Sequence, residues 1–259
     1  MKQTADPHAP LAGATIVITR PSGMSSAPAR AVRALGGRPL SLPGLSLRPL
    51  RNRKKSPTKR GFDIWIFTSP AAVRFGAALL PARRMRARIE AFAVGAGTAR
   101  ALARHGIRAR IPRERSDSEG LLSIAGLAKV RGLRIALVGA PGGRNRIAPV
   151  LRRRGAEVVM LDVYERVPPR LTQRHFAAVD AAGDPLVMLV SSAEALGNLV
   201  ALLPPRTLER LRGQIVVVSS ERLAAIALRH AFGEIVLAHS ASPRDLLAGA
   251  AAALGRHRL

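Results

Sequence analysis

Four phrases recur in the two halves of this chain, and that duplication limits its fold more than any other feature. VITRPSG (17–23), FTSPAAV (67–73), VGAGTARAL (94–102) and SDSEGLL (116–122) line up with LVGAPGG (137–143), VSSAEAL (190–196), VSSERLAAIAL (218–228) and SASPRDLL (240–247). Most of them begin at the end of a short apolar run and lead into a stretch of helical periodicity, so each marks the turn of a βα unit. The repeat spans about half the chain, too long a period for a solenoid. Short continuous apolar runs at 15–19, 64–68, 91–94, 134–138, 186–190 and 214–218 alternate with helical patterns, which predicts parallel strands joined by right-handed crossovers. Shorter strands are expected at 38–42, 109–112 and 234–238.

With 259 residues there is material for two domains of roughly 100–150 residues each. The first βαβ unit is expected to join the last three strands, and the middle five strands to form a separate body. The division predicted is 1–46 with 167–259 as one domain and 47–166 as the other. Each would be an α/β domain with a parallel five-stranded sheet of flavodoxin-like type, its ligand-facing loops at the carboxyl ends of the strands and turned toward a shared cleft. VVMLDVYERVPP (158–169) reads as one strand that overruns its sheet, carries the only tyrosine, Tyr164, and stops at Pro168-Pro169. LPGLSLRPL (42–50) has the same extended look and would be the outbound crossing that pairs with it.

Charge narrows the ligand class. Lysine and arginine number 42 against 16 acidic residues, a formal charge of +26, which predicts attraction to polyanions. Lysine occurs only at Lys2, Lys54, Lys55, Lys59 and Lys129, so the positive charge is almost all arginine, whose planar fork grips carboxylate or phosphate. RNRKKSPTKR (51–60) reads as a solvated basic loop without the aromatics a nucleic-acid stacking platform needs. With no cysteine, disulfide, thiolate-metal and thiol-nucleophile chemistry are excluded. No apolar run approaches a membrane span, and the expectation is a cytoplasmic protein with no membrane partner and no specific nucleic-acid partner.

Candidate functional residues gather in the loops before helices: Arg20, Ser69, Thr98, Ser118, Gly142, Gly143, Arg144, Ser192, Ser220 and Ser242. Hydroxyls and free N–H groups at positive helix starts suit a ligand with many negative charges. Taken singly, each serine or threonine is better explained as a helix cap; their recurrence at the same place in both halves is the stronger signal for a ligand. GAPGGR lacks the lysine and following hydroxyl of a P-loop, and VGAGTA is too short for a dinucleotide fingerprint. The six histidines have no metal-ligand spacing, and no carboxylate pair suggests an acid and base. Tyr164 could donate a proton to a leaving hydroxyl or serve as an aromatic plug. A two-domain binding protein for a polyanion, without catalysis, is the alternative these residues leave open.

VITRP, FTSPAAV, VGAGTARAL, SDSEGLL, GGR, RGAEVVMLDVYER and SPRDLL, in this order and spacing, resemble the uroporphyrinogen-III synthase family over nearly the whole chain. The resemblance implies two flavodoxin-like domains joined by a two-stranded β ladder. It implies a cyclising lyase of haem biosynthesis that closes hydroxymethylbilane to uroporphyrinogen III, losing water and inverting the last pyrrole ring, as a monomer and without metal or organic cofactor. By the same resemblance Tyr164 is the tyrosine that assists departure of the hydroxyl, and Thr98 is the threonine of a Gly-x-x-Thr-Ala loop. Ser242 stands where the family usually has threonine after a proline, here Ala241. Arg20, Ser69, Gly143, Arg144, Ser192 and Ser220 complete the set expected to hold substrate carboxylates.

Overall fold

The computed structural model describes residues 9–50, 61–80, 89–113, 115, 117–142 and 146–257. The basic loop 51–60, Gly143 and Arg144 lie outside the described residues. In chain order the elements are β1 (Thr15–Ile18), α1 (Ser26–Ala34), β2 (Arg38–Ser41), β3 (Ser46–Pro49), β4 (Ile64–Phe67), α2 (Pro70–Gly76), β5 (Glu90–Ala93), α3 (Ala96–Ala103), β6 (Ala109–Arg110), α4 (Ser118–Leu122), β7 (Arg134–Gly139), α5 (Ile147–Arg153), β8 (Glu157–Asp162), β9 (Tyr164–Val167), α6 (Gln173–Asp180), β10 (Leu186–Val190), α7 (Ala193–Leu202), α8 (Pro205–Arg212), β11 (Ile215–Val218), α9 (Glu221–Arg229), β12 (Glu234–Leu237) and α10 (Pro243–Arg256).

The chain divides into two compact units, 1–46 with 167–259 and 47–166. In the first, five parallel strands lie in the order β12-β11-β10-β1-β2, and in the second the order is β6-β5-β4-β7-β8. Read from β2 inward, and from β8 inward, the strand orders of the two sheets correspond phrase by phrase. β7 with LVGAPGG takes the place of β1 with VITRPSG, and β4, β5 and β6 take the places of β10, β11 and β12. The duplicated phrases therefore occupy equivalent sheet positions, although the chain enters the second unit at a different strand.

Composition explains which strands are central. TIVI in β1, IWIF in β4, LVMLV in β10 and IVVV in β11 are buried throughout, as strands covered by helices on both faces must be. Alternate residues feed two cores in each unit. In the first, Ile16, Ile18, Val187 and Leu189 pack with α1 and α10, while Val17, Met188, Val190 and Val216 pack with α7, α8 and α9. In the second, Ile66, Ile135 and Leu137 pack with Leu151 of α5, and Phe67, Ala93 and Val138 pack with Val73 of α2 and Leu102 of α3. Edge strands are marked by polar or interrupted sequence: Pro39 in β2, Glu234 in β12 and the half-exposed Met160 in β8.

Three expectations need correction. The stretch 158–169 is not one strand: it breaks at Val163, so that β8 belongs to the parallel sheet and β9 pairs antiparallel with β3 in a two-stranded ladder. The break has a packing cause, since Val163 is only 2% exposed and is drawn into the core around Phe67 and Val138. The helical stretch expected to follow SDSEGLL is α4, which begins inside that phrase, and then a separate 3-10 turn at Ala125–Leu127. Two helices, α6 and α8, are additions that the alternation did not suggest; they pack against one another over Val179, Leu208 and Leu211.

The outbound crossing is fixed locally. Asn198 of α7 donates through Nδ2 to the Gly44 carbonyl at 2.9 Å. The backbones approach so closely that a Cβ at residue 44 would lie 2.6 Å from the Ala195 Cβ and 2.8 Å from its carbonyl oxygen. Glycine is required there by proximity rather than by its dihedral freedom.

Candidate active site

In the second unit, the loops at the carboxyl ends of β4, β5 and β7 and the last residue of β8 surround a cleft of about 720 Å³. It lies at the point where strand order reverses, between β4 and β7, the position at which doubly wound sheets take their ligands. The two strands close tightly there. Thr68 donates through Oγ1 to the Val138 carbonyl at 3.2 Å, and a Cβ at Gly139 would stand 2.8 Å from that Oγ1.

Tyr164, the first residue of β9, lines this cleft and is 6% exposed. Its ring stacks on Phe75 of α2 at 5.5 Å between centroids, which holds it in one orientation. Its hydroxyl lies 3.1 Å from Ser69 Oγ. Ser69 is the N-cap of α2 and accepts from the Ala72 N–H at 3.0 Å, with Pro70 in the first turn. A hydroxyl pair thus sits at a helix start: Ser69 accepts from the backbone, so its own proton can go to Tyr164, leaving the tyrosine proton available to a ligand.

Two carboxylates line the same cleft. Asp117 is the N-cap of α4: it accepts from Gly120 N–H at 2.8 Å and pairs with Arg115 at 2.7 Å. The Gly120 N–H bond, together with Arg115, holds its pKa below the ordinary aspartate value despite an opposing desolvation effect. Asp162, at the end of β8, differs: its Oδ1 is buried and has no hydrogen-bond partner among the described residues. The sequence reading passed over Asp162, although its place two residues before Tyr164 at the carboxyl end of a strand is a usable signal. Arg166 also lines the cleft and donates to the Pro141 carbonyl at 3.1 Å.

Of the other expected residues in this unit, Thr98 is 4% exposed and lies inside the first turn of α3, so it is not a cap; Gly95 holds that position. Ser118 likewise is the first residue of α4 behind its Asp117 cap. Gly142 turns with φ of 76° and lines the cleft.

In the first unit, the reversal of strand order falls between β10 and β1, where Thr19 donates through Oγ1 to the Leu189 carbonyl at 2.6 Å. Arg20 follows directly. Its Nε is buried with no partner among the described residues, and burial alone lowers its pKa from the ordinary arginine value. Three serines cap α7, α9 and α10, the helices that follow β10, β11 and β12 of this sheet. Ser192 accepts from Ala195 N–H at 3.3 Å, Ser220 from Leu223 N–H at 3.4 Å and Ser242 from Asp245 N–H at 3.1 Å. Accepting from the helix leaves the Ser192 and Ser220 hydroxyl protons for an anionic ligand, beside the remaining open N–H groups of the turn, whereas the Ser242 hydroxyl is turned to the Asp245 carboxylate. Among the described residues there is no cluster of metal-ligating side chains and no helix long and apolar enough to cross a membrane.

Fold and site together define a duplicated, doubly wound α/β protein whose strand ends carry hydroxyls, helix N–H groups and arginine. The family model described as uroporphyrinogen-III synthase HemD matches residues 26–248. The uroporphyrinogen-III synthase of Salmonella typhimurium is 32% identical over 244 residues, covering 90% of this chain and 98% of that protein. The Escherichia coli enzyme of the same name is 33% identical over 60% of this chain and 64% of its own length. Among solved structures, the uroporphyrinogen-III synthetase of Helicobacter pylori matches with a TM-score of 0.61 at 15% identity over 92% of this chain and 99% of that one. A mutant Thermus thermophilus uroporphyrinogen III synthase matches at 0.54 and 21% identity, over 94% and 99%. The chain belongs to the uroporphyrinogen-III synthase family.

Proposed function

We propose that this chain is a uroporphyrinogen-III synthase, a cyclising lyase that converts hydroxymethylbilane to uroporphyrinogen III, and that Tyr164 is its proton donor. In the reaction implied for the family, the hydroxyl of the substrate's hydroxymethyl group takes a proton and leaves as water, and the bond electrons depart with the oxygen. The azafulvene cation left behind is attacked by the far pyrrole ring, giving a spirocyclic intermediate and then the macrocycle with its last ring inverted. Ring closure releases one proton, which restores the tyrosine, so no net proton is consumed.

The observation that carries this reading is the Tyr164–Ser69 hydroxyl pair in the cleft of the second unit. Stacking on Phe75 keeps the phenol in place, and Ser69 relieves it of acting as a donor to the protein. The substrate's eight carboxylates need donors, and the chain offers them at Arg20, at the first turn of α3 around Thr98, in the hydroxyls of Ser192 and Ser220, and in the open first-turn N–H groups behind the caps Ser69 and Ser242. Gly143 and Arg144, which follow Gly142 in sequence, belong to this proposed set. A guanidinium such as that of Arg20, whose Nε is buried without a partner among the described residues, is relieved of part of its desolvation when a carboxylate arrives.

The test is a coupled assay in which the preceding enzyme supplies hydroxymethylbilane. The proposal requires the type III isomer; a chain that merely binds polyanions leaves only the spontaneous type I ring. The proposal also takes the enzyme to act as a monomer in the cytoplasm, which sedimentation of the purified protein and fractionation of cells check.

A further inference from the structure

We propose that the Asp162 carboxylate is a second catalytic group, facing the cationic ring formed when water leaves. The inference rests on the synthase reading and adds a residue to its site. A carboxylate is an unexpected lining for a cleft that receives an octa-anion, because every peripheral substituent of the substrate repels it. The parts of the substrate that attract an anion are its pyrrole N–H edge and, after the hydroxyl departs, the azafulvene cation, whose positive charge is shared with that ring's nitrogen.

Asp162 is suited to that role by what it lacks. Buried carboxylate oxygens in folded proteins are almost always hydrogen-bonded, and one left open marks a group held for a purpose or a partner. Asp117, in the same cleft, is already committed to the Gly120 N–H and to Arg115. Asp162 Oδ1 is shut from solvent and unpartnered among the described residues, so the carboxylate has a lone-pair site that no protein donor has taken. The residue lines the cleft with Tyr164 two positions along the chain. Tyr164 would protonate the departing oxygen while Asp162 offsets the charge created on the ring behind it. Asp162 forms no covalent bond and exchanges no proton; it stabilises charge that appears only as the C–O bond breaks, which is the condition for raising kcat rather than affinity.

The test is Asp162→Asn, nearly isosteric and neutral, measured in the coupled assay together with its thermal unfolding. The expected result is a kcat lower by at least about tenfold with KM within about twofold, a larger share of type I product, and a Tm equal to or above that of the unsubstituted protein. Asp162→Ala should lower kcat in the same way. Activity of Asp162→Asn within about twofold of the unsubstituted protein would overturn the inference, as would a loss that merely tracks a lowered Tm. If the unsubstituted chain forms type I alone, the synthase reading itself falls and this inference with it; an unsubstituted chain forming type III beside an unimpaired Asp162→Asn rejects the Asp162 role only.

Discussion

Tyr164 carries two structural contacts of unequal weight, and that inequality separates its chemistry from its packing. The ring packs against Phe75 in the core, whereas the hydroxyl makes one part-buried bond to Ser69. Tyr164→Phe keeps the first and removes the second. It should cost no more than about 1 kcal/mol of stability while lowering kcat by about 10²-fold or more; unfolding and turnover measured on one preparation check this, and an undiminished kcat rejects the proton-donor role. Arg20→Met should do the reverse: KM rises roughly tenfold, and stability holds or improves because a partly buried cation whose Nε has no partner among the described residues is removed. Acid sensitivity belongs to this scale too. The pKa values of Asp117 and Asp245 are lowered, the first mainly by the Gly120 N–H and the second by the hydroxyls of Ser240 and Ser242. Their stabilisation is therefore complete above the ordinary aspartate value and disappears as pH falls through the lower folded values. Thermal unfolding followed from pH 6 down to about pH 2 should decline in that window, and Asp117→Asn should flatten the decline. Residue types at strand ends were legible in sequence because loops before helices attract hydroxyls. Asp162 was legible only as a carboxylate at a strand end; that its Oδ1 is buried without a partner among the described residues is visible only in three dimensions.

Helix ends show how closely the elements follow local rules, and where one departs. After α1, α3 and α5 the chain turns back through Gly36, Gly106 and Gly155, all at positive φ, each turn closed by an N–H of the next residue reaching five residues back: Gly37 to Val32, Ile107 to Leu102 and Ala156 to Leu151. After α9 the same bond runs from Phe232 to Ala227, but the turning residue is Ala231, with φ of 61°. Ala231→Gly should raise stability by roughly 0.5–1 kcal/mol, read as a higher unfolding midpoint; a lower midpoint would contradict the argument. Caps and glycine stops made the helix boundaries readable. α6 and α8 escaped because they interrupt the strict alternation rather than because their sequences are poor: α8 opens on Pro205, and α6 opens on Thr172 with the His175 ring accepting from the Thr172 N–H. Likewise nothing in a run of β-branched residues shows that Val163 will turn inward and divide the run; that required the core around Phe67.

At the scale of the whole chain, the repeat carried the architecture, since phrases that match in sequence hold matching positions in the two sheets. Charge acts at the same scale. With 42 basic residues against 16 acidic ones, like charges repel in the folded state, and added salt weakens that repulsion while also weakening the pull on a polyanionic substrate. Raising ionic strength from about 20 to about 300 mM, over which the screening length falls by roughly a factor of four, should therefore raise Tm and lower kcat/KM together. A change in only one of the two would separate the charges that repel from those that recruit substrate. The strand order has a further consequence for how the protein is made. β1 pairs with β10, Thr15 opposite Leu186, so the amino-terminal strand has to wait for a partner that the ribosome delivers about 10–30 s later at ordinary elongation rates. Every partner of β4 is in hand by Gly139. During synthesis the inserted segment can close its sheet while the ends of the chain are still strangers to each other, so the nascent polypeptide should acquire protease resistance from the middle outward.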